Sequence, residues 1–296
     1  MKNIYIILFC LILCNSSCSE DETYLETDYP QENIFAPAEG AMDEESLLRR
    51  DFFNATGVYL LFNDTLTTYT VTSLAGESVV VNEIFNPGYA MTSSSWADKY
   101  EYIYYDDIEL QKSAADFVKN EILTKIPKEM YPFSFLLTDS MFVSKNNYGM
   151  FSEPELTNFY SGLQGAVLAP GDLFVLSENE QKVLASSLLK EIIIAQVDKI
   201  PAAKFEKFYS YSNEYYDIFS WNIPEPYPSV GLLMTYVYAW GIPFNSAEYD
   251  LKAYIEEAFA MSEEEFRTNY AEYPICIEKM EELIKVLESY GIVVYE

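Results

Sequence analysis

Carboxylates are the groups with which this chain could most readily do chemistry. Its 296 residues include 47 Asp and Glu, 18 Lys and Arg and no histidine, which gives a formal net charge of -29. The lack of histidine excludes Ser-His-Asp and Cys-His catalysis and histidine-ligated zinc. The acidic balance argues against nucleic acid as a partner, because phosphate recognition needs positive charge. A carboxylate pair could hydrolyse a glycoside, but among so many acids no spacing stands out.

Aromatic side chains offer a second kind of chemistry, which is recognition. The chain has 26 Tyr, 19 Phe and 3 Trp, and runs such as Tyr100–Tyr105 could place rings on the surface. Rings with hydroxyl tips suit sugar or peptide binding, and they equally suit core packing. Both interpretations stay open at this point.

The N-terminus predicts where the protein resides. Lys2 precedes an apolar run, Ile4–Cys14, that is too short to span a bilayer comfortably. The following residues up to Cys18 resemble a bacterial lipobox, which implies a signal peptide over 1–17 and a lipid anchor on Cys18. The acidic stretch Ser19–Glu22 resembles a surface-export signal of bacterial lipoproteins. We therefore expect a lipoprotein of the outer membrane, exposed at the cell surface and held to the membrane through Cys18.

The rest of the chain predicts a flexible acidic tether over 18–41 and a single α+β domain over 42–296. A helix is expected over 43–53, with Leu47, Leu48 and Phe52 facing the core, and a longer helix over 108–126. Short apolar runs predict strands over 58–62, 67–71, 133–137, 165–169 and 173–176.

Capping patterns mark the helices of the second half. Ser177 with Glu180 opens a helix that continues to about Lys199, and Ser262 with Glu265 opens a shorter one. Asn245 with Glu248 has the same spacing. Its helix carries one apolar stripe of Leu251, Tyr254, Ile255, Ala258 and Phe259. The last helix, over 275–290, contains Cys276, which we expect to be a small buried hydrophobe.

The order of these elements and several strings resemble a family of bacterial lipoproteins known as zinc-binding metallopeptidases, which are associated with glycan uptake. The strings are Gly231–Tyr236, Asn245–Glu248, Tyr273–Ile275 and Tyr290–Val293. The resemblance implies a zincin-like metallopeptidase domain with a small N-terminal sheet and a mainly helical C-terminal half. In the family, one helix carries a HExxH motif and a later helix supplies a glutamate ligand.

This chain departs from the family at the zinc ligands. By the resemblance, Lys190 and Ile194 lie where the two histidines would be, Glu191 lies at the catalytic glutamate, and Lys252 lies at the third ligand. A register slip of one turn would bring Glu248 there instead. Because ammonium and isoleucine cannot ligate zinc, we expect no metal and no cofactor. Lys190 or Lys252 is then expected to replace the positive charge by pairing with Glu191 or Glu248.

The function expected from these departures is binding rather than hydrolysis. The chain would be an inactive metallopeptidase-like lipoprotein that acts in binding or as an accessory in glycan or peptide acquisition. Its partners would be a glycan, a peptide or an outer-membrane uptake protein. The alternative is an active hydrolase that uses carboxylates or a metal site without histidine.

Overall fold

Helices and small sheets alternate along the part of the chain that the structure, a computed structural model, describes: residues 33–72, 76–87, 97–233, 236–237, 243–244 and 246–294. The predicted α+β class is confirmed. The predicted signal peptide, Cys18 and the tether as far as residue 32 lie outside this part. In the described residues, no helix combines the length and apolar character needed to cross a membrane.

The chain divides into two compact units. One comprises Met1–Asn33 and Thr68–Val81, and the other comprises Ile34–Thr67 and Asn82–Glu296. The described residues of Thr68–Val81 include most of two paired strands, β2 (Thr65–Thr72) and β3 (Ser78–Ile84). All features discussed below belong to the larger unit.

The first helix, α1 (Glu44–Thr56), forms where the sequence predicts it. The Asp43 carboxylate caps it by accepting a hydrogen bond from the Ser46 amide at 2.9 Å, and Gly57 ends it with φ of 80°. Phe52 is buried and Leu48 packs against the core, but Leu47 is 38% exposed, so its predicted inward position is wrong. Leu48 and Phe52 are four residues apart and share a helix face, whereas Leu47 lies about 100° around the helix from Leu48.

The central sheet has four strands in the order β1–β5–β11–β10: β1 (Tyr59–Leu61), β5 (Ser134–Leu137), β11 (Ala166–Leu168) and β10 (Phe159–Ser161). β1, β5 and β11 are parallel, and β10 runs antiparallel to β11 at the outer position. Every residue of β5 and β11 is buried. The strands predicted over 58–62, 133–137 and 165–169 are confirmed. The sequence could predict β5 and β11 because strands buried on both faces consist mostly of apolar residues.

A second sheet has three strands in the order β4 (Lys99–Ile103), β6 (Ser140–Ser144) and β9 (Glu155–Thr157). The middle strand, β6, is antiparallel to both of its neighbours. Beyond β6 the chain forms a short hairpin of β7 (Asn146–Asn147) and β8 (Met150–Phe151). The sequence did not predict these strands.

Two predicted elements differ from the structure. The strand predicted over 173–176 is wrong: Leu173–Val175 is a 3₁₀ turn, capped by the Asp172 carboxylate, which accepts from the Phe174 amide at 2.9 Å. The predicted helix 108–126 is α2 (Ile108–Phe117), continued by a π turn, Val118–Ile122, and a 3₁₀ turn, Leu123–Lys125. An apolar run of four residues is too short to distinguish a strand from a turn.

The second half is helical. Its elements are α3 (Glu178–Gln196), α4 (Glu206–Ser210), α5 (Ala247–Ala260), α6 (Glu263–Asn269) and α7 (Pro274–Ser289), with a two-stranded pair of β12 (Tyr236–Val237) and β13 (Pro243–Phe244) before α5. The capping boxes at Ser177 and Ser262 are confirmed. Ser246 caps α5, and the predicted cap Asn245 lies outside the described residues. Cys276 is buried as expected.

Candidate functional site

Helix α3 carries three of the predicted site residues, which stay partly accessible while the neighbouring apolar side chains pack into the core. Leu188, Leu189, Ile192 and Ile193 are buried. Lys190, Glu191 and Ile194 lie between these positions and stay partly accessible. The Lys190 Nζ lies 3.1 Å from the Glu191 Oε1, so the first of the expected lysine–glutamate pairs is present.

Helix α5 packs against α3 and brings the other two predicted residues. The Lys252 Nζ lies 2.5 Å from the Glu248 Oε1, one helical turn away, which is the second expected pair. Lys252 joins Glu191 and Ile194 in the lining of one hollow of about 360 Å³. Lys190 and Glu248 lie outside that lining. The structure therefore brings three of the five predicted residues together.

The other wall of this hollow includes Tyr100, which belongs to an aromatic run noted in the sequence, and Tyr160 and Lys145, which the sequence did not single out. Tyr100 of β4 and Tyr160 of β10 pack with their ring centroids 4.1 Å apart. Burial raises the pKa of both hydroxyls above the usual tyrosine value, which itself lies well above neutral pH, so both stay protonated. Lys145 also lines the hollow, and its Nζ lies 2.8 Å from the Asp98 Oδ2.

Two further hollows extend this one along α3. One is shared through Thr157, Phe159 and Glu191, and the other through Tyr160, Ser161, Ala195 and Asp198. We call these three hollows, which share lining residues along α3, the α3 groove. Its helical wall runs from Ser187 to Asp198, about 16 Å at the rise of a helix, and its other wall is formed by residues 156–163.

The residues at the expected ligand positions do not fit zinc. Tetrahedral zinc needs several anionic or neutral nitrogen, sulfur or oxygen donors, whereas these positions hold two ammonium groups and an isoleucine. Each nearby glutamate already faces a lysine. Across the described ranges, no group of three or more Asp, Glu or Cys is arranged to hold a metal ion. Both pairs are partly solvated, so each contributes at most about 1 kcal/mol to stability.

A second polar cluster lies in the core, between α5 and α7. The Lys279 Nζ lies 2.5 Å from the Asp250 Oδ2, and both side chains are fully buried. Burial lowers the pKa of Lys279 and raises that of Asp250, and the attraction between the two charges opposes both shifts. The sequence held a signal for this cluster, because each charge falls on the apolar stripe of its helix, beside Tyr254 or Leu283.

Comparison with protein-family models, curated proteins and solved structures found no significant match. The metallopeptidase family and its zincin-like fold therefore stay predictions.

Proposed function

We propose that this chain is a non-catalytic binding protein whose α3 groove holds an extended peptide segment. In this proposal the chain is a lipoprotein anchored through Cys18 at the outer-membrane surface, where it acts in nutrient acquisition. The observation that carries the proposal is the groove itself, which runs along α3 where the family would carry zinc.

The dimensions of the α3 groove favour an extended chain. A strand rises about 3.3 Å per residue, so about 16 Å holds about five residues. The central sheet, as far as the structure describes it, has β10 as its outer strand, and Phe159, Tyr160 and Ser161 of this strand line the groove. An outer strand carries backbone N–H and C=O groups on the side away from its neighbour, and an added peptide strand can pair with them.

The side chains of the groove favour binding over hydrolysis. Its centre combines an apolar surface, Ile194, with the two packed tyrosines, Tyr100 and Tyr160, and with charges of both signs, Lys252 and Glu191. Amphipathic rings supply contact area and hydrogen bonds at low entropic cost. A hydrolase built on HExxH would instead need a metal and its ligands, which these residues do not provide.

The test is binding of an array of pentapeptides by the chain with Cys18→Ser, which leaves out the lipid. Ile194→Arg places a long cation in the centre of the groove and should weaken binding at least tenfold. Val183→Arg is the matched control, because Val183 is on the same helix and 64% exposed. Methylating alternate backbone nitrogens of the tightest peptide should also weaken binding, because strand pairing needs those N–H groups.

Four results would contradict the proposal. Peptide cleavage, or stoichiometric zinc in the purified protein, would favour the hydrolase alternative. Equal binding by the Ile194→Arg and Val183→Arg variants would place the ligand elsewhere. Binding to a glycan array, with no peptide bound, would keep the role in acquisition and change the class of ligand.

A further inference from the structure

The Lys279 ammonium is surrounded by oxygen acceptors. Besides the Asp250 Oδ2, its Nζ donates to the Ser212 Oγ at 2.8 Å and to the Gly231 carbonyl at 2.9 Å, and the Tyr216 hydroxyl oxygen lies 3.3 Å away. An ammonium group has three N–H donors, and three acceptor oxygens lie within 2.9 Å of the Nζ here. The side chain is therefore fully satisfied only while it carries its charge.

The neighbouring hydroxyls donate their protons elsewhere. The Ser212 hydroxyl donates to the Val230 carbonyl at 2.8 Å, the Tyr216 hydroxyl to the Asp250 Oδ2 at 2.7 Å, and the Tyr254 hydroxyl to the Gly231 carbonyl at 3.0 Å. Since their protons are already used, Ser212 and Tyr216 present lone pairs to Lys279. A neutral side chain in its place would leave the Ser212 and Tyr216 hydroxyl oxygens without a donor. It would also remove one of the two donors to the Gly231 carbonyl and to the Asp250 Oδ2.

Three aromatic rings also lie close to the ammonium group. The Lys279 Nζ lies 4.6 Å from the ring centroid of Phe208, 5.0 Å from that of Tyr254 and 5.7 Å from that of Tyr216. A cation within about 6 Å of a ring centroid is attracted by the ring quadrupole, more strongly when it is desolvated. The same three rings would not favour a neutral methyl group in this way.

Gly231 allows the backbone to lie close to this ammonium group. Its φ is 77°, and a Cβ built on it would lie 2.8 Å from the Ser212 Oγ. An alanine here would therefore meet both backbone strain and a steric overlap. The polypeptide is shaped to bring a carbonyl to the ammonium.

We propose that these groups form an internal ammonium site, a receptor for a primary alkylammonium ion that Lys279 fills from within the chain. The charge, rather than the volume of the side chain, holds residues 212–231 against α5 and α7. Ser212, Tyr216 and Gly231 all belong to this segment, whereas Asp250 is on α5 and Lys279 is on α7. The site would accept an external alkylammonium once the lysine side chain is removed.

Hydrogen exchange of the segment 212–231, followed by mass spectrometry, tests this directly. Lys279→Met keeps most of the volume and loses the charge, so exchange in the segment should rise about 10- to 100-fold, because hydrogen bonds to a charged donor are lost. Lys279→Ala should behave similarly, and n-propylammonium, which replaces the missing atoms, should restore slow exchange. Uncharged n-propanol should not.

Two further variants complete the design. Lys285→Met is the matched control, because Lys285 is on the same helix, exposed and paired with Glu282 at 2.9 Å; exchange should not change. Ser212→Ala keeps the ion pair, removes one acceptor of the ammonium and also removes the donor to the Val230 carbonyl. It serves if the Lys279 variants fail to fold, and exchange should rise in 212–231 but not in β5. Wild-type exchange in Lys279→Met or in Ser212→Ala would overturn the proposal. So would equal rescue of Lys279→Ala by n-propanol and n-propylammonium.

Discussion

Gly165 is the position where a single methyl group should cost the most. It precedes β11, with φ of 152°, and a Cβ built on it would overlap the Oγ and the carbonyl oxygen of Ser134 and lie 3.1 Å from the Ser134 carbonyl carbon. The Ser134 Oγ also donates to the Gln164 carbonyl at 2.8 Å, so the two segments are held close together. Relief of the overlap would require β5 and β11 to separate.

The expected cost of Gly165→Ala is about 3 kcal/mol in the free energy of unfolding. Overpacking of a tight interior costs about 1–3 kcal/mol. The unfavourable φ for a residue with a Cβ adds about 1 kcal/mol. In a domain of this size, about 3 kcal/mol corresponds to a fall in Tm of about 6–12 °C.

Thermal and urea unfolding followed by circular dichroism measure this cost. Gly149→Ala is the matched control: Gly149 has φ of 89° with no atom within 4 Å of the added Cβ, so only the backbone strain applies. The double variant Ser134→Ala with Gly165→Ala removes the hydroxyl and leaves the backbone overlap, so most of the loss should remain. Equal stability of the Gly165→Ala and Gly149→Ala variants would refute the steric reasoning.

Three other perturbations test the packing and the caps. Leu283→Ala empties a fully buried position and should cost about 3 kcal/mol in urea unfolding; a loss below about 1 kcal/mol would show that the core collapses around the cavity. Tyr254→Phe removes the donor to the Gly231 carbonyl and should cost about 1 kcal/mol, with an unchanged m-value as the check. Hydrogen bonds from Ser262 lower the pKa of Glu265, so its stabilisation is present above the usual carboxyl pKa and is lost as pH falls through the lowered one. Glu265→Gln should therefore reduce the loss of stability across this acid range in urea titrations, and an unaltered pH dependence would contradict that cause.

The sequence was a good guide to elements that depend on local signals. The boxes at Ser177 and Ser262 each need only residues within one turn, and each helix begins there. Strands such as β5 were recognisable because burial on both faces makes them mostly apolar. By contrast, β4 alternates tyrosines with Lys99, Glu101 and Ile103. Its inward side chains are Tyr100 and Tyr102, so its sequence contains no apolar run that would predict a strand.

The candidate site was only partly predictable, because it depends on contacts between distant segments. The helix spacing placed Glu191 and Ile194 together, but no local pattern indicated that Tyr100 and Tyr160 would face them from two different sheets. The buried pair of Asp250 and Lys279 likewise joins two helices. A charge on an apolar stripe signals such a pair, but its partner is set by tertiary packing.

The parallel arrangement of the central sheet also constrains how the chain folds. Tyr59 pairs with Ser134, and Phe135 pairs with Ala166, so β1 and β5 cannot complete the sheet until residues up to 168 are available. Closing such long loops before any pairing is gained makes folding slow. A nascent chain would then stay open until more than half of it had been synthesised. If the chain is exported as proposed, this delay would keep it unfolded while it crosses the membrane.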